Sequence, residues 1–341
     1  MVADHGWRIG SAPMQPEPGH ARRRPSDGSL VSRRSMLLAG AGLAGAALLA
    51  ACGSGKKADG IPTMSLEPNS TTETGSQLQA IFDFQNPYLI TGSPQRLTFG
   101  VLGSDGSYSP TVPDTLSFQI TKDGAATTPV STVSSHTDGV PIGYFPLITT
   151  FDAPGNYQAV TTIDGKPSTQ AFSVFDPSAT KLVPIGAKMV PVETPTVADP
   201  KGVTPICTRP SGTCPFHTQT LTQALAAAKP TVLLVSTPEF CQIGVCGPVL
   251  DLLMTAAGQH PDFQFVHAEV YTNAEAVKNQ GNPNASNQDV VTQASVTPAV
   301  DAYGLTYEPS LYVADATGTI VDRLDYIFDA TDLDASLSKA A

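Results

Sequence analysis

The sequence predicts two folded parts behind an export segment: an all-β sandwich over residues 78–176, then an α/β domain with a mixed sheet over 200–341. Two observations carry this. In the first stretch, short β-rich runs alternate with turns built on Asp-Gly, and a helical period is missing. In the second, apolar strands alternate with helix-spaced segments. Hydrophobic residues make up 41% of the 341 and aromatics 7%, enough to pack cores of this kind.

The chain opens on a leader. Ser32-Arg33-Arg34-Ser35-Met36-Leu37-Leu38 sets a twin arginine before an apolar run from Met36 to Ala51. That run is short for a bilayer span and reads as a signal peptide over 1–51. Leu49-Ala50-Ala51-Cys52 resembles the lipobox of bacterial lipoproteins. The resemblance implies cleavage before Cys52, lipidation of its thiol, and a protein held on the outer face of the cell membrane. Residues 52–77, rich in Gly, Ser, Thr and Pro, read as a flexible tether.

The net charge of −11 understates the acidity of the body. Residues 1–51 hold six Arg and three acids, leaving 13 basic against 27 acidic residues, or −14, for the rest. Such a surface repels phosphate backbones, so nucleic acid is not expected as a partner.

Within 78–176, strands are expected at Ala80–Phe84, Arg96–Leu102, Thr115–Thr121, Tyr157–Ile163 and Gln170–Phe175. Turns at Ser104-Asp105-Gly106, Lys122-Asp123-Gly124 and Asp164-Gly165 separate them. Gly155-Asn156-Tyr157 resembles the approach to the tyrosine corner of immunoglobulin-like domains, which implies a Tyr hydroxyl tying down a crossing turn. No titratable cluster stands out, and a binding or spacer role is expected. Residues 177–199, rich in Pro, Val and Thr, read as an extended linker or a leading strand.

The 200–341 stretch gives helix Leu221–Ala228, strand Thr231–Val235, helix Gly247–Ala257 and strand Phe263–Val270. A helix within Asn287–Tyr303, a hairpin of Ser310–Ala314 with Thr319–Asp325, and a helix Asp332–Lys339 follow.

Chemistry centres on cysteine. With Cys52 assigned to lipid, four remain as two local pairs, Cys207/Cys214 and Cys241/Cys246. The first lies in a Pro/Gly loop and reads as a structural disulfide. The second follows the buried strand and precedes Gly247-Pro248, where unpaired N–H groups and the helix dipole favour a thiolate. Thiolate is the nucleophile of disulfide exchange.

Pro230-Thr231-Val232-Leu233-Leu234-Val235, Phe240 before Cys241, and Gly247-Pro248 together resemble the active-site segment of thioredoxin-fold proteins. Glu308-Pro309-Ser310 resembles that family's cis-proline loop. The resemblance implies an α/β thioredoxin-like domain, preceded here by the immunoglobulin-like sandwich. It also implies thiol–disulfide exchange through Cys241 and Cys246, with Pro309 packing on the disulfide and helping hold a substrate. The partners would be thiols and disulfides of exported proteins, and no cofactor or metal is called for.

The departures are specific. The family has two residues between its cysteines and this chain has four. On one continuous helix, positions five apart diverge by about 140°, so either Cys241 precedes the helix or its first turn unwinds. Cys241 is favoured as the nucleophile from its place after the strand. The acid that the family often buries in that strand is missing; Glu239 and Glu308 are the substitutes for carrying protons, although each reads first as a solvated turn carboxylate. The spacing is also similar to one branch of the peroxiredoxins, but the Thr or Ser needed three residues before the reactive Cys is replaced by Pro238 or Ile243.

Two other classes compete. His267, on the strand Phe263–Val270, reads first as a hydrogen-bonded core or edge residue and second as a copper ligand with Cys241 and Cys246 in a metal-delivery protein, while a stapled, non-catalytic adhesion or assembly module needs no reactive thiol. Cys214-Pro215-Phe216-His217 adds a metal option in which no fourth ligand is evident nearby, so His217 is expected to cap or line the following helix.

Overall fold

The computed structural model describes residues 75–241, 243–274 and 295–341. The twin arginine, Cys52 and most of the expected tether lie outside the described residues, as does the first part of the 287–303 segment. Among the described residues, no helix is long and apolar enough to cross a membrane.

The first part is built from strands β1 (Gln77–Ala80), β2 (Pro94–Leu102), β3 (Thr115–Lys122), β4 (Ala125–Ala126), β5 (Ser131–Ser134), β6 (Tyr144–Thr150), β7 (Gly155–Ile163) and β8 (Lys166–Val174). One antiparallel sheet runs β1-β2-β6 and the other β4-β3-β7-β8, with β5 also paired to β3. Alternate side chains point inward as a half-buried strand requires: Leu97, Phe99 and Val101 from β2, Leu116, Phe118 and Ile120 from β3, and Phe172 and Val174 from β8 are all buried. The rings of Phe99 and Phe118 stack across the sheets at 5.2 Å. Asp123-Gly124 and Asp164-Gly165 have positive φ at both residues, the backbone that two-residue hairpins demand. Tyr157 Oη donates to the Ala153 carbonyl at 2.7 Å, so the expected tyrosine tie is formed.

Three sequence expectations change. The strand expected at 80–84 ends at Ala80, and β5 and β6 were not foreseen. The segment 177–199 is no free linker, since Met189 and Val192 are buried and its backbone bonds to Gly318 and Ile320. Leu221 N also donates to Thr194 Oγ1, tying the segment to the helix that follows.

The second part holds α1 (Leu221–Ala226), β9 (Thr231–Val235), α2 (Cys246–Ala257), β10 (Gln264–Ala268), α3 (Pro298–Tyr303), β11 (Ser310–Ala314), β12 (Ile320–Asp325) and α4 (Ala330–Ser338). The sheet order is β10-β9-β11-β12, with β10 parallel and β11 antiparallel to β9. This is the mixed sheet that a thioredoxin-like domain requires, and α2 supplies the crossover that a parallel pair needs. β9 is buried throughout and its alternation feeds two layers. Val232 and Leu234 pack with α2 and α4, through Val249, Leu250, Leu253, Leu333 and Leu337. Leu233 and Val235 face α1 and α3, in a cluster continuous with the sandwich core.

Removing the Tyr157 hydroxyl tests the tie at the sandwich edge. Tyr157→Phe is expected to lower unfolding stability by about 1 kcal/mol, read from urea denaturation. An unchanged midpoint would contradict it.

Candidate functional site

The site forms where β9 ends. Strand pairing on both sides holds Val235 at the sheet centre, and the chain leaves it through the buried Ser236 and Thr237. Phe240 N bonds back to the Thr237 carbonyl at 3.1 Å, closing a turn that delivers Cys241 into a loop. Gly244 then adopts φ +70 and its N–H meets the Cys241 carbonyl at 3.3 Å. Helix α2 starts at Cys246, with Pro248 in its first turn where the absent N–H is harmless. Cys241 therefore precedes the helix, which resolves the spacing problem without unwinding it.

Helix α2 lacks an ordinary cap. Its N-cap residue is Val245, which has no side-chain acceptor. The Cys246 N–H points instead at Cys241 Sγ, at 3.2 Å. A hydrogen bond from the Cys246 thiol and the amides of Cys246, Val245 and Ile243 favour the thiolate, and against the opposing effect of burial they pull Cys241 down to about 6. Cys246 is fully buried and moves the other way. Burial, then the neighbouring Cys241 and the charge of Glu308, push its thiol well above the usual range. The pair is thus asymmetric, one half-buried sulfur poised as thiolate and one buried sulfur held as thiol.

Pro309 follows a cis Glu308–Pro309 bond. Ser310 pairs with Val235, so Pro309 stands at the end of the sheet from which the Ser236–Thr237 turn departs. Glu308 is buried and acts electrostatically on Cys246. Glu239 lies on the turn, its N–H donating to Thr208 Oγ1 at 3.2 Å.

The sandwich reaches the same loop, which sequence reasoning missed. Ile81, Ile142 and Tyr144 are buried in one cluster with Val245, and Tyr108, Val140, Cys241 and Ile243 pack against it. Gly139 lies so close to α2 that a Cβ there would come 2.6 Å from Leu252 Cδ2. Glu269, also missed, is buried, and its Oε1 accepts from Thr208 N at 2.5 Å and Oγ1 at 2.7 Å. Burial raises its pKa. The available signal was a lone acid inside the apolar run Phe263–Tyr271.

Cys207 and Cys214 are buried neighbours, with Cys214 N 3.5 Å from Cys207 Sγ. None of the four described cysteines is joined in a disulfide. One histidine expectation is corrected and one is met. His217 does not cap α1, because Thr220 does so through a capping box with Gln223. His267 is a buried hydrogen-bonded residue, but it adjoins Cys214 and His217, not the Cys241/Cys246 pair. A fourth residue able to ligate beside Cys207, Cys214 and His217 is thus His267 of β10. Cys52 lies outside the described residues.

No family model matches the chain, and no curated protein matches it. Among solved structures, dsbF of MTB, in mixed oxidized and reduced forms, is 19% identical, with 36% of this chain and 87% of that chain covered and a TM-score of 0.27. A thioredoxin-family thiol:disulfide interchange protein from Chlorobium tepidum TLS is 17% identical, covering 45% of this chain and 99% of that chain at a TM-score of 0.28. A titin and obscurin-like 1 Ig complex is 16% identical, covering 30% of this chain and 98% of that chain at 0.19. These structural neighbours include thioredoxin-family interchange proteins, at low TM-score and partial coverage that carry no argument.

Gly244 is the residue that lets four intervening positions fit. Gly244→Ala places a Cβ in the left-handed region and is expected to cost about 1–2 kcal/mol, measured by urea unfolding of the reduced protein. No change would show that the loop does not depend on this turn.

Proposed function

We propose that the chain is a thiol–disulfide oxidoreductase working through Cys241 and Cys246. The observation that carries this reading is the Cys241 sulfur receiving the amide of an otherwise uncapped helix, with a buried thiol behind it. In the reducing direction, the Cys241 thiolate attacks a substrate disulfide. A mixed disulfide forms, and the leaving sulfur departs as a thiolate that takes up a proton. Cys246 then loses its proton and attacks Cys241 Sγ, releasing the second substrate thiolate. The substrate gains two electrons and the Cys241–Cys246 disulfide holds the oxidation. The reverse sequence oxidises a dithiol through the same bonds. Pro309, beside the turn, is the proposed rest for the substrate chain, and Glu308 is placed to influence when Cys246 releases its proton.

The substrates we propose are cysteines of other exported proteins. Arg33-Arg34 and the Leu49–Cys52 lipobox support a lipid anchor at Cys52 and a site outside the cytoplasm. The Tyr157 tie supports the immunoglobulin-like reading of the sandwich. The copper-delivery alternative loses its third ligand, because His267 faces the other cysteine pair.

Turnover is tested with the full chain in dithiothreitol-driven insulin reduction. Cys241→Ser is expected to fall to the uncatalysed rate, and Cys246→Ser to accumulate a mixed disulfide with substrate, seen on non-reducing gels. Full activity in Cys241→Ser would overturn the proposal.

A further inference from the structure

The loop carrying Cys207, Cys214 and His217 folds against β10 so that His267 N bonds to the Phe216 carbonyl at 3.2 Å. This anchors four potential ligands at one point. His217 Nε2 lies 3.1 Å from His267 Nδ1, Cys214 Sγ lies 3.5 Å from the same nitrogen, and all four ligand atoms fall within 4.8 Å of one another. All four residues are buried.

The outer side of His267 fixes its orientation. Its Nε2 lies 2.9 Å from Ser236 Oγ and 3.3 Å from the Ser236 carbonyl. A carbonyl only accepts, so Nε2 carries the hydrogen and Nδ1 turns its lone pair into the cluster. Ligating histidines are commonly held by such an outer bond. The spacing also suits a tetrahedral centre. Metal–sulfur bonds of about 2.3 Å and metal–nitrogen bonds of about 2.0–2.1 Å imply edges of roughly 3.3 Å between nitrogens and roughly 3.6 Å between sulfur and nitrogen. The two distances here agree with those edges to within about 0.2 Å.

We propose that Cys207, Cys214, His217 and His267 form a closed metal site for a zinc-class divalent cation. Binding Zn2+ releases two thiol protons to solvent, and the two thiolates cancel the charge of the ion, so a neutral centre replaces bare charges in a buried place. Four protein ligands leave no open position, which makes the site structural. It clamps the 207–217 loop to β10. Through Ser236 on His267 and Thr208 on Glu239, the clamp also braces the turn that presents Cys241. A Cys207–Cys214 disulfide would consume both sulfur ligands, so metal and disulfide exclude each other.

The test uses the full chain purified under reducing conditions, with Zn2+ as the probe and Co2+ as its spectroscopic substitute. One equivalent of zinc is expected, and cobalt should show the intense d–d and thiolate charge-transfer absorption of a tetrahedral site. The Cys241→Ser/Cys246→Ser variant should keep both, while Cys214→Ser and His267→Gln should each weaken binding at least tenfold. The cobalt spectrum of the unaltered chain needs no variant to fold. The proposal is overturned if the reduced chain takes up no zinc, if its cobalt spectrum lacks thiolate charge transfer, or if the metal is lost with Cys241 and Cys246.

Discussion

One hydrogen bond organises the loop between β9 and α2: the amide at the start of α2 donates to the sulfur of Cys241. A helix begins with N–H groups that need acceptors, and Val245 offers none. The sulfur fills that role from outside the helix, where it meets the positive end of the dipole. The arrangement needs Cys241 in the loop and Cys246 at the first helical position. Gly244 makes this possible by turning the chain left-handed between them. The same geometry separates the two thiols chemically. Cys241 is partly accessible and stabilised as an anion, whereas Cys246 is sealed in the core beside a carboxylate that opposes its ionisation.

The sandwich is part of this setting and no mere spacer. Its Ile142 and Tyr108 pack around the loop, and Tyr326, after β12, receives the Asp83 amide on its hydroxyl at 2.8 Å. Arg96 of β2 pairs with Asp332 at the start of α4, and Tyr144 Oη donates to the same carboxylate at 2.5 Å while accepting from Asp329 N at 2.8 Å. Largely buried charges are tolerated only when partners surround them, and here the partners come from both parts of the chain. The surroundings of Cys241 are therefore shaped by residues 99 (Ile142) and 133 (Tyr108) positions away in sequence.

Local signals were legible and long-range ones were not. The apolar run Thr231–Val235, the Gly247-Pro248 helix start and the two Asp-Gly hairpins each carry their structure within a few residues. Strand β6 was hidden by Pro146, which ordinarily argues against a strand; the chain tolerates it because β6 is an edge strand of its sheet. The 177–199 segment reads as a linker from its Pro, Val and Thr content, yet Leu182, Met189, Val192, Thr194 and Thr196 are buried, because their partners come from distant parts of the chain. His217 and His267 lie 50 residues apart, and their meeting depends on the parallel register of β10 with β9, which sets His267 opposite Leu234. Nothing local encodes that register, so the four-ligand cluster appeared only in three dimensions.

The Cys246 thiol, together with backbone amides at the head of α2, holds Cys241 as a thiolate. The most direct test is the pH dependence of iodoacetamide alkylation at Cys241 in the reduced full chain, followed by peptide mass spectrometry. Because thiolate is the reactive form, the rate should rise with pH through a midpoint near 6, while Cys246 stays unreactive until well above neutrality. A midpoint at about 8.5, the ordinary thiol value, would contradict the account.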